Sequence, residues 1–119
     1  MKRLIRGAAA LALLSCAALA SAHPALVHST PQSGDVLDAP PKELRLRFNE
    51  PIEVAFTHVE LVDGAGVALK GHAVELVKDD ANALVMTLPV LARGTYKARW
   101  CAAGRDGHRV KGEFSFTVK

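Results

Sequence analysis

Past residue 22 this sequence is short of what builds a disulfide staple, a membrane span or a nucleic-acid surface. Its two cysteines are Cys16, inside an apolar leader, and Cys101, so the chain beyond the leader has one thiol and no internal disulfide. Aromatics are sparse (four Phe, one Tyr, one Trp), and most fall at alternating positions of expected strands, which makes them core rather than a stacking platform. The net charge of +3 is that of Lys2, Arg3 and Arg6; beyond them 15 − 3 = 12 basic residues face 12 acidic ones. That balance leaves no electrostatic footprint for nucleic acid or for stable association with an anionic membrane. No later apolar run approaches the ~20 residues that a membrane helix needs. Internal repeats and low-complexity tracts are absent as well.

What is present begins with an export signal over residues 1–22. Lys2, Arg3 and Arg6 form its positive start, residues 8–20 its apolar stretch, and Ala20-Ser21-Ala22 its small-x-small cleavage site. Removing 22 residues from 119 leaves 97, one small domain over 23–119 with room for a single core. A bacterial, periplasmic location is expected, with cleavage after Ala22. Two rival readings stand beside it. Leu13-Leu14-Ser15-Cys16 loosely resembles a lipobox, which would acylate Cys16, and cleavage after Ala20 would leave Ser21 first. The intact mass of the exported protein separates all three.

Short alternating segments dominate the rest, and no long helical period appears. Residues 43–49 are the cleanest strand, with Leu44, Leu46 and Phe48 on one face and Glu43, Arg45 and Arg47 on the other. Further strands are expected over 25–30, 57–63, 83–88, 94–101 and 112–118, and over 67–77 as one strand or two divided at Gly71. Asp63-Gly64 and the polar run 79–82 read as turns. About seven short strands with a turn every ten residues or so point to an all-β domain, an antiparallel β-sandwich or Greek-key barrel.

Cleavage after Ala22 would expose His23 as the first residue, with a free α-amine and an imidazole. The amine and Nδ1 can close a six-membered chelate ring around a metal, and near neutral pH an amine and an imidazole shed their protons at modest cost. Pro24 has no N–H, so copper at His23 cannot be wrapped by the next backbone amide and must find further ligands in the fold. Asp106-Gly107-His108 is the best source. In extended geometry residues two apart project to one face, which sets a carboxylate beside an imidazole, and Gly107 obstructs neither. The combined set of three nitrogens and one oxygen suits Cu(II), and Zn(II) accepts similar ligands. Alone, Asp106-Gly107 is a hairpin turn signal and His108 a solvated histidine.

With these motifs in place, the chain resembles the CopC family of periplasmic copper-binding proteins. The resemblance runs from His23 to the C-terminus. It is carried by His23-Pro24-x-Leu26-Val27, by Ser29-Thr30-Pro31 with Gly34, by Ala39-Pro40, and by Leu46-x-Phe48-x-Glu50-Pro51. It continues through Gly94-Thr95-Tyr96-x-x-x-Trp100, Asp106-Gly107-His108 with Gly112, and Phe114-x-Phe116-x-Val118. The family implies a Greek-key β-sandwich or barrel of the cupredoxin-like or immunoglobulin-like kind. It also implies one Cu(II) per chain, held by the amine and imidazole of His23, the Asp106 carboxylate and the His108 imidazole. Glu50 matches a family glutamate near that site, where it would orient the amine or an imidazole; otherwise it is a strand-end surface carboxylate.

Two departures matter. Some family members bind Cu(I) through a methionine-rich loop, but only Met86 lies beyond the leader, at a core position between Leu84 and Leu88, so the Cu(II)-only subtype fits. Cys101 stands where an arginine or other non-thiol residue is expected, on the face opposite Trp100, and is read as having no functional role. His28, His58 and His72 are read as solvated surface histidines. The expected function is non-catalytic capture of Cu(II) for copper resistance, buffering or delivery. A separately encoded CopD-type inner-membrane protein is the implied partner, and Arg105, Arg109 and Lys111 either guide its docking or form a solvated rim. The enzyme alternative is a lytic-monooxygenase-like protein, which also uses an N-terminal histidine. Against it, Asp106 would fill a position that oxygen activation needs open. Blue-copper electron transfer, suggested by Cys101, His108 and Met86, lacks a methionine after His108.

Overall fold

Alternation in residues 43–48 becomes strand: Leu44, Leu46 and Phe48 are no more than 2% exposed, while Arg45 and Arg47 face solvent. The same logic repeats through the computed structural model, which describes residues 23–71 and 73–119. The leader and His72 lie outside the described residues. In chain order the strands are β1 (Leu26–Thr30), β2 (Val36–Leu37), β3 (Glu43–Phe48), β4 (His58–Val62), β5 (Ala68–Leu69), β6 (Glu75–Val77), β7 (Asp80–Thr87), β8 (Gly94–Ala103) and β9 (Arg109–Val118). A single 3₁₀ turn among the described residues, Val54–Phe56, precedes β4.

Two sheets pack face to face as a β-sandwich, one in the order β1-β3-β7-β6 and the other β2-β9-β8-β4-β5. Each inner face is hydrophobic, so stacking them removes both from water. Leu44, Leu46, Phe48, Leu84 and Met86 from one sheet meet Leu61, Tyr96, Ala98, Trp100, Phe114 and Phe116 from the other. Phe48 and Trp100 cross the interface edge-to-face at 5.3 Å between ring centroids. Met86 is core, as its alternation indicated, and Phe56 is the aromatic left exposed. Among the described residues, the buried members of this core run from Leu44 to Val118, with Leu26 and Leu37 packed against them.

Residues 67–77 form two short strands divided around Gly71, one of the two forms expected, and β5 and β6 belong to opposite sheets. Elsewhere the pattern departs from expectation: β8 runs on to Ala103 and β9 starts at Arg109. The polar run 79–82 is only partly turn. Val77 pairs with Asp80, leaving Lys78-Asp79 as a two-residue hairpin loop, and Asp79 takes a left-handed φ of 63°, which aspartate tolerates. An Arg47–Asp80 ion pair then draws Asp80 into β7. Finally, β2 pairs in parallel with β9, a two-residue edge too short to show any periodicity. The longest ladder is β8 with β9, continuous from Gly94↔Val118 to Ala103↔Arg109. Its far end carries the loop 104–108 to one pole of the sandwich.

Candidate metal centre

The pole is built by three segments. The first is the segment 23–25. Pro24 is fully buried, and Ala25 is clamped from both sides: its N–H donates to Asn49 Oδ1 at 2.8 Å, and its carbonyl accepts the Asn49 N–H at 3.0 Å. His23 is thereby held at the pole while its own side chain stays exposed.

The second segment is the β8–β9 loop. Gly107 N–H donates to Gly104 O at 3.1 Å and Gly104 N–H to His108 O at 3.0 Å, while Gly107 has φ 85°. That is a tight turn with a left-handed residue, a conformation that glycine adopts without steric cost. Asp106 and His108 therefore meet through this turn rather than through the extended alternation expected from the sequence. Asp106 Oδ1 accepts the His108 N–H at 3.0 Å, and Oδ2 lies 2.7 Å from His108 Nδ1. The ring contact first, and the backbone contact with it, hold the Asp106 carboxyl below the usual carboxylate range. With Nδ1 engaged, Nε2 is the His108 nitrogen left for a metal.

The third segment, 50–53, runs alongside Gly104. Ile52 bridges to Gly104, and Glu53 N–H donates to Ala103 O at 2.9 Å. Thr57 Oγ1 stitches it in place, donating to Glu53 O at 2.9 Å and accepting the Ala103 N–H at 3.1 Å. Gly104 is the floor. A Cβ there would lie 2.6 Å from Glu50 Oε1, 3.2 Å from Asp106 Oδ1 and 3.6 Å from Pro24 Cδ. Only a residue without a side chain lets both carboxylates approach the same point.

Over this floor the His23 and His108 rings stand 4.8 Å apart between centroids, nearly perpendicular at 89°. The four residues singled out in the sequence, His23, Glu50, Asp106 and His108, thus share one pole. Among the described residues no three such side chains already stand in a closed coordination cluster; the Asp106 carboxylate is engaged by His108. The donor set nonetheless fits a nitrogen-preferring divalent metal. Each carboxylate oxygen keeps a lone pair, Nε2 is open, and a metal-bound imidazole is commonly oriented by a carboxylate at its other nitrogen. In the uncleaved chain the His23 nitrogen is an amide joined to Ala22, so the amine donor exists only after cleavage.

Gly104 and Asn49 carried no sequence signal, because their roles appear only once segments 49–52 and 103–104 lie side by side. His28 and His58 are exposed on β1 and β4 and make no part of the pole.

Fold and pole together define a small all-β domain with an imidazole–carboxylate cluster at one end of a two-sheet sandwich. Comparison with known proteins narrows that class. The CopC domain family matches residues 26–119. Copper resistance protein C of Pseudomonas syringae pv. tomato is 38% identical over 109 residues, covering 86% of this chain and 85% of that protein. The copper transport protein CutJ of Bacillus subtilis is 30% identical over 98 residues, 82% of this chain but only 18% of that longer protein. Among solved structures, CopC from Methylosinus trichosporium OB3b superposes with a TM-score of 0.77 at 31% identity, over 82% of this chain and 94% of that one. The chain belongs to the CopC family.

Proposed function

We propose that this protein is exported, cleaved after Ala22, and then captures one Cu(II) at the pole for copper resistance, buffering or delivery in the periplasm. The ligands are the amine and imidazole of His23, the Asp106 carboxylate and the His108 imidazole. Glu50, held against Gly104, accepts a hydrogen bond that orients the amine or a ring. The observation that carries this reading is the approach of the His23 and His108 rings to 4.8 Å above a glycine floor that admits two carboxylates. Relatives named for copper resistance and copper transport agree with it.

Nitrogen-rich donors with one carboxylate favour Cu(II), which also heads the divalent affinity order. The Cu(II)-only reading rests on the single methionine after the leader, Met86, being buried in the core. We assign no catalytic step. Delivery requires a partner, and a CopD-type inner-membrane protein is the proposed recipient. Titration of the cleaved protein with Cu(II), followed by EPR, tests the ligand set. One equivalent with nitrogen-rich parameters is expected, and Asp106→Ala and His108→Ala should each weaken binding while leaving the β circular-dichroism spectrum intact. Variants that bind Cu(II) as tightly as the parent would overturn the assignment.

A further inference from the structure

A second group of metal-ligating side chains lies on the solvent face of the five-stranded sheet, away from the pole. Strand register places His58 opposite Cys101 and Cys101 opposite Lys111. One pleat further along the same face, Glu60 lies opposite Arg99 and Arg99 opposite Glu113. All six residues line one open groove of about 720 Å³. The second row is paired with itself and with a neighbouring lysine: Arg99 lies 3.7 Å from both Glu60 and Glu113, and Lys97 Nζ lies 3.5 Å from Glu113. The first row sets a free, half-buried thiol directly across from an exposed imidazole.

Directly opposed residues of an antiparallel pair hold their Cβ atoms about 4.5–5.5 Å apart. Metal–sulfur and metal–nitrogen bonds run near ~2.3 and ~2.0 Å for a comparable ion. One ion therefore fits between Sγ and a ring nitrogen without moving either strand. Thiolate with imidazole, and no carboxylate in the row, selects a soft ion over Ca²⁺ or Mg²⁺. Lys111 on the far side of Cys101 disfavours a divalent charge, whereas a thiolate with a monovalent cation is neutral.

The groove lining does not include the pole residues His23, Glu50, Asp106 or His108. One pleat nearer the loop 104–108, Arg109 lies opposite Ala103 and its guanidinium sits 5.9 Å from the Phe56 ring centroid. A thiol set in a concave face is also poorly placed to reach the same thiol of a second copy.

We propose that His58 and Cys101 form a two-coordinate site for a soft monovalent cation, Cu(I) or Ag(I), independent of the pole. Ag(I), which does no redox chemistry here, is the probe, titrated into residues 23–119, where Cys101 is the only thiol. The parent should take up one Ag(I) with a sulfur-to-metal charge-transfer band and a shift of the His58 ring resonances. Cys101→Ser should abolish that band, His58→Ala should weaken binding by more than the ~10-fold that loss of a mere outer partner of a ligand costs, and Asp106→Ala should leave it unchanged. Because His58 is exposed, circular dichroism of the variant should match the parent. Undiminished affinity in His58→Ala, silver-induced shifts at His23 and His108 instead, or a Cys101 disulfide dimer that excludes silver would each overturn the proposal.

Discussion

At the scale of the residue, the pole turns on an aspartate hydrogen-bonded to a histidine. His108 holds the Asp106 carboxyl below its ordinary value of 3.8, so His108→Ala should move its NMR-detected titration upward into the usual carboxylate range. By linkage, a carboxyl whose pKa is lower folded than unfolded stabilises the fold above its unfolded pKa. That contribution is lost as pH falls through the folded value. An unmoved titration would show that the contact is not made in solution. Gly104→Ala probes the floor. Its Cβ meets the tips of two flexible side chains, Glu50 at 2.6 Å and Asp106 at 3.2 Å, so the unfolding midpoint should hardly shift while Glu50 is turned away and Asp106 gives by a few tenths of an ångström. Cu(II) affinity should then fall by about 10–100-fold, the usual cost of losing an outer partner of a metal ligand. Unchanged affinity would remove Glu50 from the site, and a large drop in the midpoint would contradict the flexible contact. The candidates His23, Asp106 and His108 were legible in the sequence because their chemistry is local: a histidine after an expected cleavage site, and an aspartate two residues from another histidine. The Asp106–His108 hydrogen bond was not, because it depends on the left-handed turn at Gly107.

At the scale of the element, β3 and its neighbours were readable because alternation reports burial directly. Leu46→Ala should cost about 2–5 kcal/mol by denaturant unfolding, whereas the exposed Arg45→Ala should change stability by less than about 1 kcal/mol; similar costs would mean that the two faces of β3 are misassigned. β2, β5 and β6 were blurred for the opposite reason. Two or three residues carry no period, and their sheet membership depends on crossovers that only long-range pairing decides. The element that matters most for the site is the start of β1. Asn49 closes both backbone bonds to Ala25, and Asn49→Ala removes the side-chain bond alone. One hydrogen bond contributes about 1 kcal/mol, so Cu(II) affinity should drop about fivefold as His23 loosens. An unchanged affinity would mean that Pro24 alone positions the terminus.

At the scale of the whole molecule, core and site are separate. The buried aromatics and aliphatics lie between the sheets, while His23, Asp106 and His108 are exposed at one pole. Chelation should therefore leave a cooperatively unfolding β protein, with Cu(II) raising its thermal midpoint only by mass action. A domain that melts on metal removal would contradict that separation. The overall class was visible from strand count and turn spacing, and the pole from the resemblance of its motifs. The alignment of His58 with Cys101 was hidden, since residues 43 positions apart in the chain (101 − 58) meet only through the register of β4 and β8. The most direct measurement compares Cu(II) affinity for the chain beginning at His23 with that for the same chain carrying one additional residue before it. Blocking the His23 amine should reduce affinity by orders of magnitude and remove one nitrogen from the EPR pattern. Equal affinity and an identical spectrum for the two forms would contradict a site built on that amine.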